Sequence, residues 1–329
     1  MDKKIRYGII GFGMFAERAI LPAIRASVNS ELGAIQKRST DAAREKAAVY
    51  GIPQGYGSVR DLVADASVDA VFIVSANIDH APSAIAAAHA GKHVLVEKPM
   101  AMNSAQAERM IDACRANGVK LMVGHMVRFS PLVVRIKELI KTGSVGNVVA
   151  IRTEFIYDGR LSHRSWLTDP AVAGGGPVYD VAVHTFDTLR FLLDDEVISA
   201  QGHLSPVPSA QTTEETVLAS LRFSEGVIAS IFCSYKAPVR RSVIEIIGTD
   251  ATLYAEHFTR SSMTLRLVIT RGKGEQPPET VEEEIQVHDL YVDEVTRFSD
   301  AILHNHPSPI PGEEGLANQI VLDALMRLS

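Results

Sequence analysis

Within the stretch GGGPVYDVAVH, residues 174–184, one carboxylate and one imidazole stand four residues apart, as Asp180 and His184. If Val178–Leu193 is helical, that spacing puts both side chains on one face. Histidine titrates near neutrality, which suits it to accept and return a proton. Asp180 beside it would hydrogen-bond a substrate hydroxyl or raise the basicity of the imidazole. A third group, Lys98, closes the apolar run VLVEKP, and its ammonium suits a developing oxyanion. Each residue also has a plain structural reading. Lys98 would be a surface cation at a strand end, Asp180 an early-helix charge favoured by the dipole, and His184 a satisfied core histidine.

The elements that must position these groups fall into two halves. At 329 residues the chain exceeds what one core usually supports, so two domains are expected. Up to residue 124, β-branched runs at Ile5–Ile10, Leu32–Ile35, Ala70–Val74, His93–Val96 and Leu121–Val123 alternate with Ala-rich helical patterns. That alternation implies right-handed crossovers and a doubly wound parallel sheet, an α/β domain over residues 1–124. Past Gly146 the strands Val148–Tyr157, Thr216–Phe223, Val227–Tyr235, Ser242–Ile247 and Thr280–Val287 follow one another with few helices between. This predicts an α+β domain with an open antiparallel sheet over residues 125–329, closed by helices at Leu290–Leu303 and Glu313–Leu328. The segment RGKGEQPPET reads as a solvated loop. Pro177 suits a first helical position, and the glycines before it allow close backbone approach.

Composition narrows the function. Hydrophobic content of 46%, charged content of 22% and a net charge of -6 describe an ordinary globular protein with no basic run for nucleic acid or membrane surfaces. The N-terminus passes from a short charged lead into a strand pattern, so neither signal peptide nor membrane span is expected. Cys114 and Cys233 form no CxxC pair and suit buried thiols in a reducing cytoplasm. His163, His184 and His203 are scattered, and no metal site is expected.

Gly11-Phe12-Gly13-Met14-Phe15-Ala16 follows the first strand and opens the first helix. Gly11 permits the tight turn, Gly13 lets the backbone approach a pyrophosphate, and Ala16 lets helix and strand pack closely. The helix start then offers N–H donors and a positive dipole end. At the end of the second strand, where an acid would favour NAD, the chain has Lys37, Arg38 and Ser39. Two cations and a hydroxyl suit a 2′-phosphate, so NADP is preferred over NAD. The plain alternative is a solvated cluster at a helix start.

Taken together, the N-terminal cradle, Glu97-Lys98-Pro99 and GGGPVYDVAVH resemble the glucose–fructose oxidoreductase/inositol dehydrogenase family. The resemblance extends to Ser75-Ala-Asn77 with His80, to His125 with Arg128 and Phe129, and to Trp166 ahead of the glycines. It implies hydride transfer between a nicotinamide and the carbinol carbon of a sugar or polyol, with the 1,5-anhydrofructose reductases and related sugar reductases the nearest variety. Lys98, Asp180 and His184 would be catalytic. Glu97, Ser75, Asn77 and His80 would line the cofactor, joined by Phe12, Met14, His125 and Trp166. Arg128 and Tyr157 would join Lys98, Asp180 and His184 around the substrate. Departures from the family pattern include Leu167, where relatives often carry arginine, and Ala76 in place of proline.

Two other functions fit the same scaffold: a catalytically silent regulator that senses nucleotide or sugar, and a glycosidase that uses NAD transiently. Retention of Lys98, Asp180 and His184 together argues for the oxidoreductase. Coverage of the open sheet face in the second domain predicts a homodimer or homotetramer through that sheet.

Overall fold

A computed structural model provides the structure, which describes residues 3–272 and 277–327. The chain divides into two compact units, residues 1–125 with 291–319, and residues 126–290 with 320–329. The middle of the RGKGEQPPET loop and the end of the final predicted helix at Leu328 lie outside the described residues.

Six strands form the sheet of the first unit: β1 (Ile5–Ile10), β2 (Ser30–Gln36), β3 (Gln54–Tyr56), β4 (Ala70–Ile73), β5 (His93–Glu97) and β6 (Leu121–Gly124). All pairings are parallel, in the order β3-β2-β1-β4-β5-β6. Helices α1 (Leu21–Ala26), α2 (Thr40–Tyr50), α3 (Val59–Val63), α4 (His80–His89) and α5 (Ser104–Ala116) belong to the same unit. Strand β4 is buried at every residue and β1 at all but one, which is why both read as continuous apolar runs. Strand order reverses between β1 and β4, and ligands of doubly wound sheets collect at the carboxyl ends of such a pair. The fold class is therefore α/β, as the alternation predicts.

In the second unit, eight strands make one sheet: β7 (Val148–Asp158), β8 (Val197–Ser205), β9 (Thr216–Phe223), β10 (Ile228–Ser234), β11 (Lys236–Gly248), β12 (Ala251–Glu256), β13 (Met263–Arg271) and β14 (Glu279–Val287). Their order is β14-β13-β12-β11-β7-β10-β9-β8. The sheet is mixed rather than purely antiparallel, because β10 runs parallel to β7. Burial alternates along β9, with Val217, Ala219, Leu221 and Phe223 inward and Leu218, Ser220 and Arg222 outward. Helices α6 (Pro131–Lys141), α7 (Pro170–Ala173) and α8 (Val183–Leu193) complete the unit, and α6 packs against α8 and β14.

The last two helices correct the expected division at residue 125. Most of α9 (Leu290–Leu303) and the first part of α10 (Gly312–Met326) return to the first unit instead of staying with the second. Matched polar groups hold them there. Tyr7 on β1 is hydrogen-bonded to Ser299 at 2.8 Å, Ser299 to Ser30 at 2.8 Å, and Thr296 donates to Ser27 at 2.9 Å. The segment between the helices pairs with the outer strand β6, where Val123 N–H donates to the Ile310 carbonyl, so that edge is covered. Phe298 is fully buried in this helix. Phe298→Ala is expected to cost about 3–5 kcal/mol, as loss of a core phenylalanine does. Urea unfolding measures it, and a loss below about 1 kcal/mol would contradict this packing of α9.

Candidate active site

The cofactor cradle begins where β1 stops. Gly11 adopts φ +84°, and a Cβ there would lie 2.6 Å from Ser75 Cα, so glycine is required on both counts. A Cβ on Gly13 would meet only the Gly11 carbonyl, at 3.8 Å, leaving that side open to a ligand. The amides of Phe12 and Gly13 are occupied by the carbonyls of Gln36 and Gly11. The first helical turn supplies the unbonded donors instead, because Glu17 N–H, bonding Gly13, is the first to find a partner one turn back. Donors for an anion therefore come from Met14, Phe15 and Ala16. Across the switch point, Ser75 Oγ is shielded from solvent and has no hydrogen-bond partner among the described residues. An open glycine, a helix start and an unmatched hydroxyl together fit a dinucleotide pyrophosphate.

The basic cluster after β2 divides by role. Lys37 Nζ donates to the Phe12 carbonyl at 2.7 Å and lies over the Phe12 ring, bracing the glycine turn. Ser39 caps α2, its Oγ accepting from Ala42 N–H at 3.2 Å. Arg38 is exposed. Phe12 itself is buried and packs edge-on against Tyr50, so its side chain is core.

Around the end of β4 and β5, Asn77 is buried at the start of a 3-10 turn, and His80 is buried behind it. The His80 ring faces two carbonyls, Pro99 at Nδ1 (2.8 Å) and Ser75 at Nε2 (3.2 Å), which ties the two strand ends together. Glu97 is buried and accepts from Lys98 N–H. Lys98 is half-buried, and the bond from it to Pro99 is cis. His125 is buried and receives the Asn318 amide at Nε2.

In the second unit the glycine stretch meets Glu214. A Cβ on Gly176 would fall 1.9 Å from the Glu214 carbonyl oxygen, and the Glu214 carboxylate accepts from Val178 N–H at 2.9 Å. The helix thus receives its cap from a distant buried acid whose carboxyl burial pushes up and the amides of Gly176 and Val178 pull down. Its first part, Val178–Ala182, is a π-turn that runs into α8, and Asp180 lies in that turn.

Asp180 is 5% exposed and firmly held. Tyr157 O–H donates to Oδ2 at 2.7 Å, and Arg164 donates from both terminal nitrogens at 2.9 Å. Burial and then Asp180 raise the Tyr157 phenol, and the same two influences raise Tyr235. Burial opposes the charge on Arg164, yet Asp180 more than offsets it. Tyr235 follows β10 and packs edge-on against Tyr157 at the end of the neighbouring β7, and the Arg164 guanidinium lies 5.9 Å over Trp166. His184 is buried, its ring 6.2 Å from that of Phe155.

Arg128 and Leu167 both lie in packed surroundings. Arg128, expected at the substrate, makes three hydrogen bonds to Asp187 in a buried pair and lies against Phe191. Leu167, at the position where arginine is frequent, is core, while Arg164 stacks on Trp166. Arg164, Tyr235 and Glu214 are the polar groups that sequence reasoning passed over. Tyrosines ending two strands, at 157 and 235, were the available signal.

His80 yields a pH test. Burial holds its ring below the ordinary value of 6.5, with the two carbonyls opposing. The unfolded chain then binds the extra proton, so this contribution is complete above the ordinary range and is lost as pH falls below it. Wild type should lose stability from about pH 7 to about pH 5 more steeply than His80→Gln, by up to about 1.4 kcal/mol per pH unit. His93, also lowered by burial and by Lys120, is present in both proteins and cancels. Equal slopes in thermal melts would refute the assignment.

Comparison with known proteins places this geometry. Residues 5–125 match the oxidoreductase family with an NAD-binding Rossmann fold, and residues 133–254 match the GFO/IDH/MocA C-terminal domain. The chain is 31% identical to 1,5-anhydro-D-fructose reductase of Ensifer adhaerens over 94% of this chain and 92% of the relative. It is 30% identical to D-xylose 1-dehydrogenase (NADP(+)) 2 of Haloferax volcanii over 97% and 95%. The solved aldose-aldose oxidoreductase from Caulobacter crescentus, complexed with glycerol, superimposes with a TM-score of 0.88 at 26% identity, over 99% and 97% of the two chains. With its cradle, its EKP strand end and its buried Asp180 and His184, the chain belongs to the Gfo/Idh/MocA family of NAD(P)-dependent oxidoreductases.

Proposed function

We propose that the protein is an NADP-preferring oxidoreductase that moves hydride between the nicotinamide and the carbinol carbon of a sugar, inositol or related polyol or ketose. The observation that carries this reading is the buried pair Asp180 and His184 on a helix whose other residues from Val178 to Arg190 are also buried. Polar groups so placed cost stability unless they have work to do. The names of the matched relatives, an anhydrofructose reductase and a xylose dehydrogenase, support a sugar.

When bound, the nicotinamide supplies or accepts the hydride. His184 takes the hydroxyl proton during oxidation and returns it during reduction. Lys98 places positive charge on the alkoxide that forms between those events. Asp180 hydrogen-bonds the substrate side of the site and holds Tyr157 and Arg164 as oriented donors for sugar hydroxyls. The amides of Met14 and its neighbours would hold the pyrophosphate, Ser75, Asn77, His80 and Glu97 would line the ribose side, and His125 and Trp166 would complete the cofactor site. Arg38 reads the 2′-phosphate, supported by Lys37 and Ser39, because among these three it is the exposed cation.

A spectrophotometric screen of sugars, ketoses and inositols with NADPH, NADP, NADH and NAD tests the activity. Turnover should be faster with the phosphorylated cofactor, and Arg38→Ala should narrow that preference by about tenfold, the worth of one charged hydrogen bond. Lys98→Ala should lose turnover by about a hundredfold or more while its melting temperature holds. No turnover across the panel, or a Lys98→Ala protein at the wild-type rate, would sink the reading.

The second-unit sheet supports self-association. Leu218, Ile228 and Tyr254 lie exposed on its outward face, between ion pairs such as Arg152–Glu245 and Arg241–Glu154. Sedimentation should give the mass of a dimer or tetramer, and a monomer at micromolar concentration would exclude it. Cytoplasmic residence fits two buried free cysteines, the thiol of Cys114 pushed up to about 12 by burial.

A further inference from the structure

Strand β5 ends at Glu97, directly beside Gly124 at the end of β6. Glycine at 124 leaves a notch: a Cβ there would lie 3.4 Å from Glu97 Cα and 3.4 Å from Glu294 Oε1. Glu294 arrives from α9, far along the chain. It has no solvent exposure, and among the described residues no N–H or O–H donor reaches either of its carboxyl oxygens. Two acceptors closed off in this way are compatible with the fold only if the group carries a proton. Burial, and then the charge of Glu97, hold the Glu294 carboxyl well above the usual carboxylate range.

A protonated carboxyl has one O–H to donate. The titratable groups it faces are Glu97 from β5 and Tyr7 from β1, while β6 offers only the backbone at Gly124. Tyr7 is already hydrogen-bonded to Ser299, and burial raises its phenol, so it stays neutral. That leaves the Glu97 carboxyl as the neighbour with an acceptor to offer. A leucine would fill the pocket without leaving oxygens unmatched, so the acid at 294 is there for what it does to its neighbour.

We infer that Glu294 is a positioning residue for the cofactor: as a neutral acid it donates its proton to Glu97 in a hydrogen bond that fixes this carboxylate at the end of β5. The inference rests on the reading of Glu97 as a cofactor ligand. One shared proton between two carboxyls keeps the pair at a single negative charge, since neighbouring carboxylates resist ionising together. The same bond steadies the chain entering Lys98.

The test compares Glu294→Leu, Glu294→Gln and Glu97→Ala by fluorescence titration with NADPH and by thermal melting. Glu294→Leu should melt at or above the wild-type temperature and yet bind NADPH about tenfold more weakly, the worth of one hydrogen bond to a charged group. Glu294→Gln, whose amide still donates, should bind within about threefold of wild type. Infrared difference spectra between wild type and Glu294→Gln at neutral pH should show the carbonyl band of a protonated carboxylic acid in the wild type. Full NADPH affinity in Glu294→Leu, with weakened binding in Glu97→Ala, overturns the positioning role alone. Full affinity in Glu97→Ala overturns the ligand reading and the inference with it. Should Glu294→Leu fail to fold, the infrared band decides, and its absence overturns the proposal.

Discussion

A carboxylate shut away from water has to be surrounded by donors, and in the second unit that requirement falls on Asp180. Tyr157 reaches it from the end of β7, and Arg164 from the loop beyond. Tyr235 at the end of β10 packs against Tyr157, which parallel pairing of β7 and β10 brings alongside. Two segments are therefore pinned to one helix by one charge, and a third leans on them through Tyr157. The helix is fixed in turn by Glu214, which caps it where Gly176 lets the chain come close. His184 inherits its place from that arrangement.

In the first unit the same economy of backbone operates without a charge. Gly11 and Ser75 approach because Gly11 has no Cβ to stand between them, and His80 bridges the Ser75 and Pro99 carbonyls behind. The polar surface left at the carboxyl ends of β1, β4 and β5 is what a dinucleotide requires. Its chemistry is therefore a property of loop geometry more than of individual side chains.

Much of this was legible because the signals are local. The alternation of Ile5–Ile10, Ala70–Val74 and the helices between them specifies a parallel sheet, and the spacing of Asp180 and His184 marks the helix of interest. Other features depend on distant partners. β3 is three residues long, and the sequence expectations contain no strand at β8, β12 or β13, although β12 and β13 carry an inward alternation, Leu253 and Ala255, then Leu265, Leu267 and Ile269. Nothing near Arg128 in sequence announces Asp187, and nothing near Val178 announces Glu214. The π-turn at Asp180 lies beneath a pattern that suits an α-helix equally well. The return of α9 is hidden for the same reason, since an amphipathic helix does not name the surface it covers.

That return has a consequence for how the protein is made. Emerging from the ribosome, residues 1–125 carry helices α1 to α5 but not the parts of α9 and α10 that join their unit, nor Ser299, Ile310 or Phe298. The hydroxyl of Tyr7 and the outer edge of β6 must wait while residues 126–290 of the second unit are synthesised. The nucleotide-binding half is the first to begin and cannot be the first to finish.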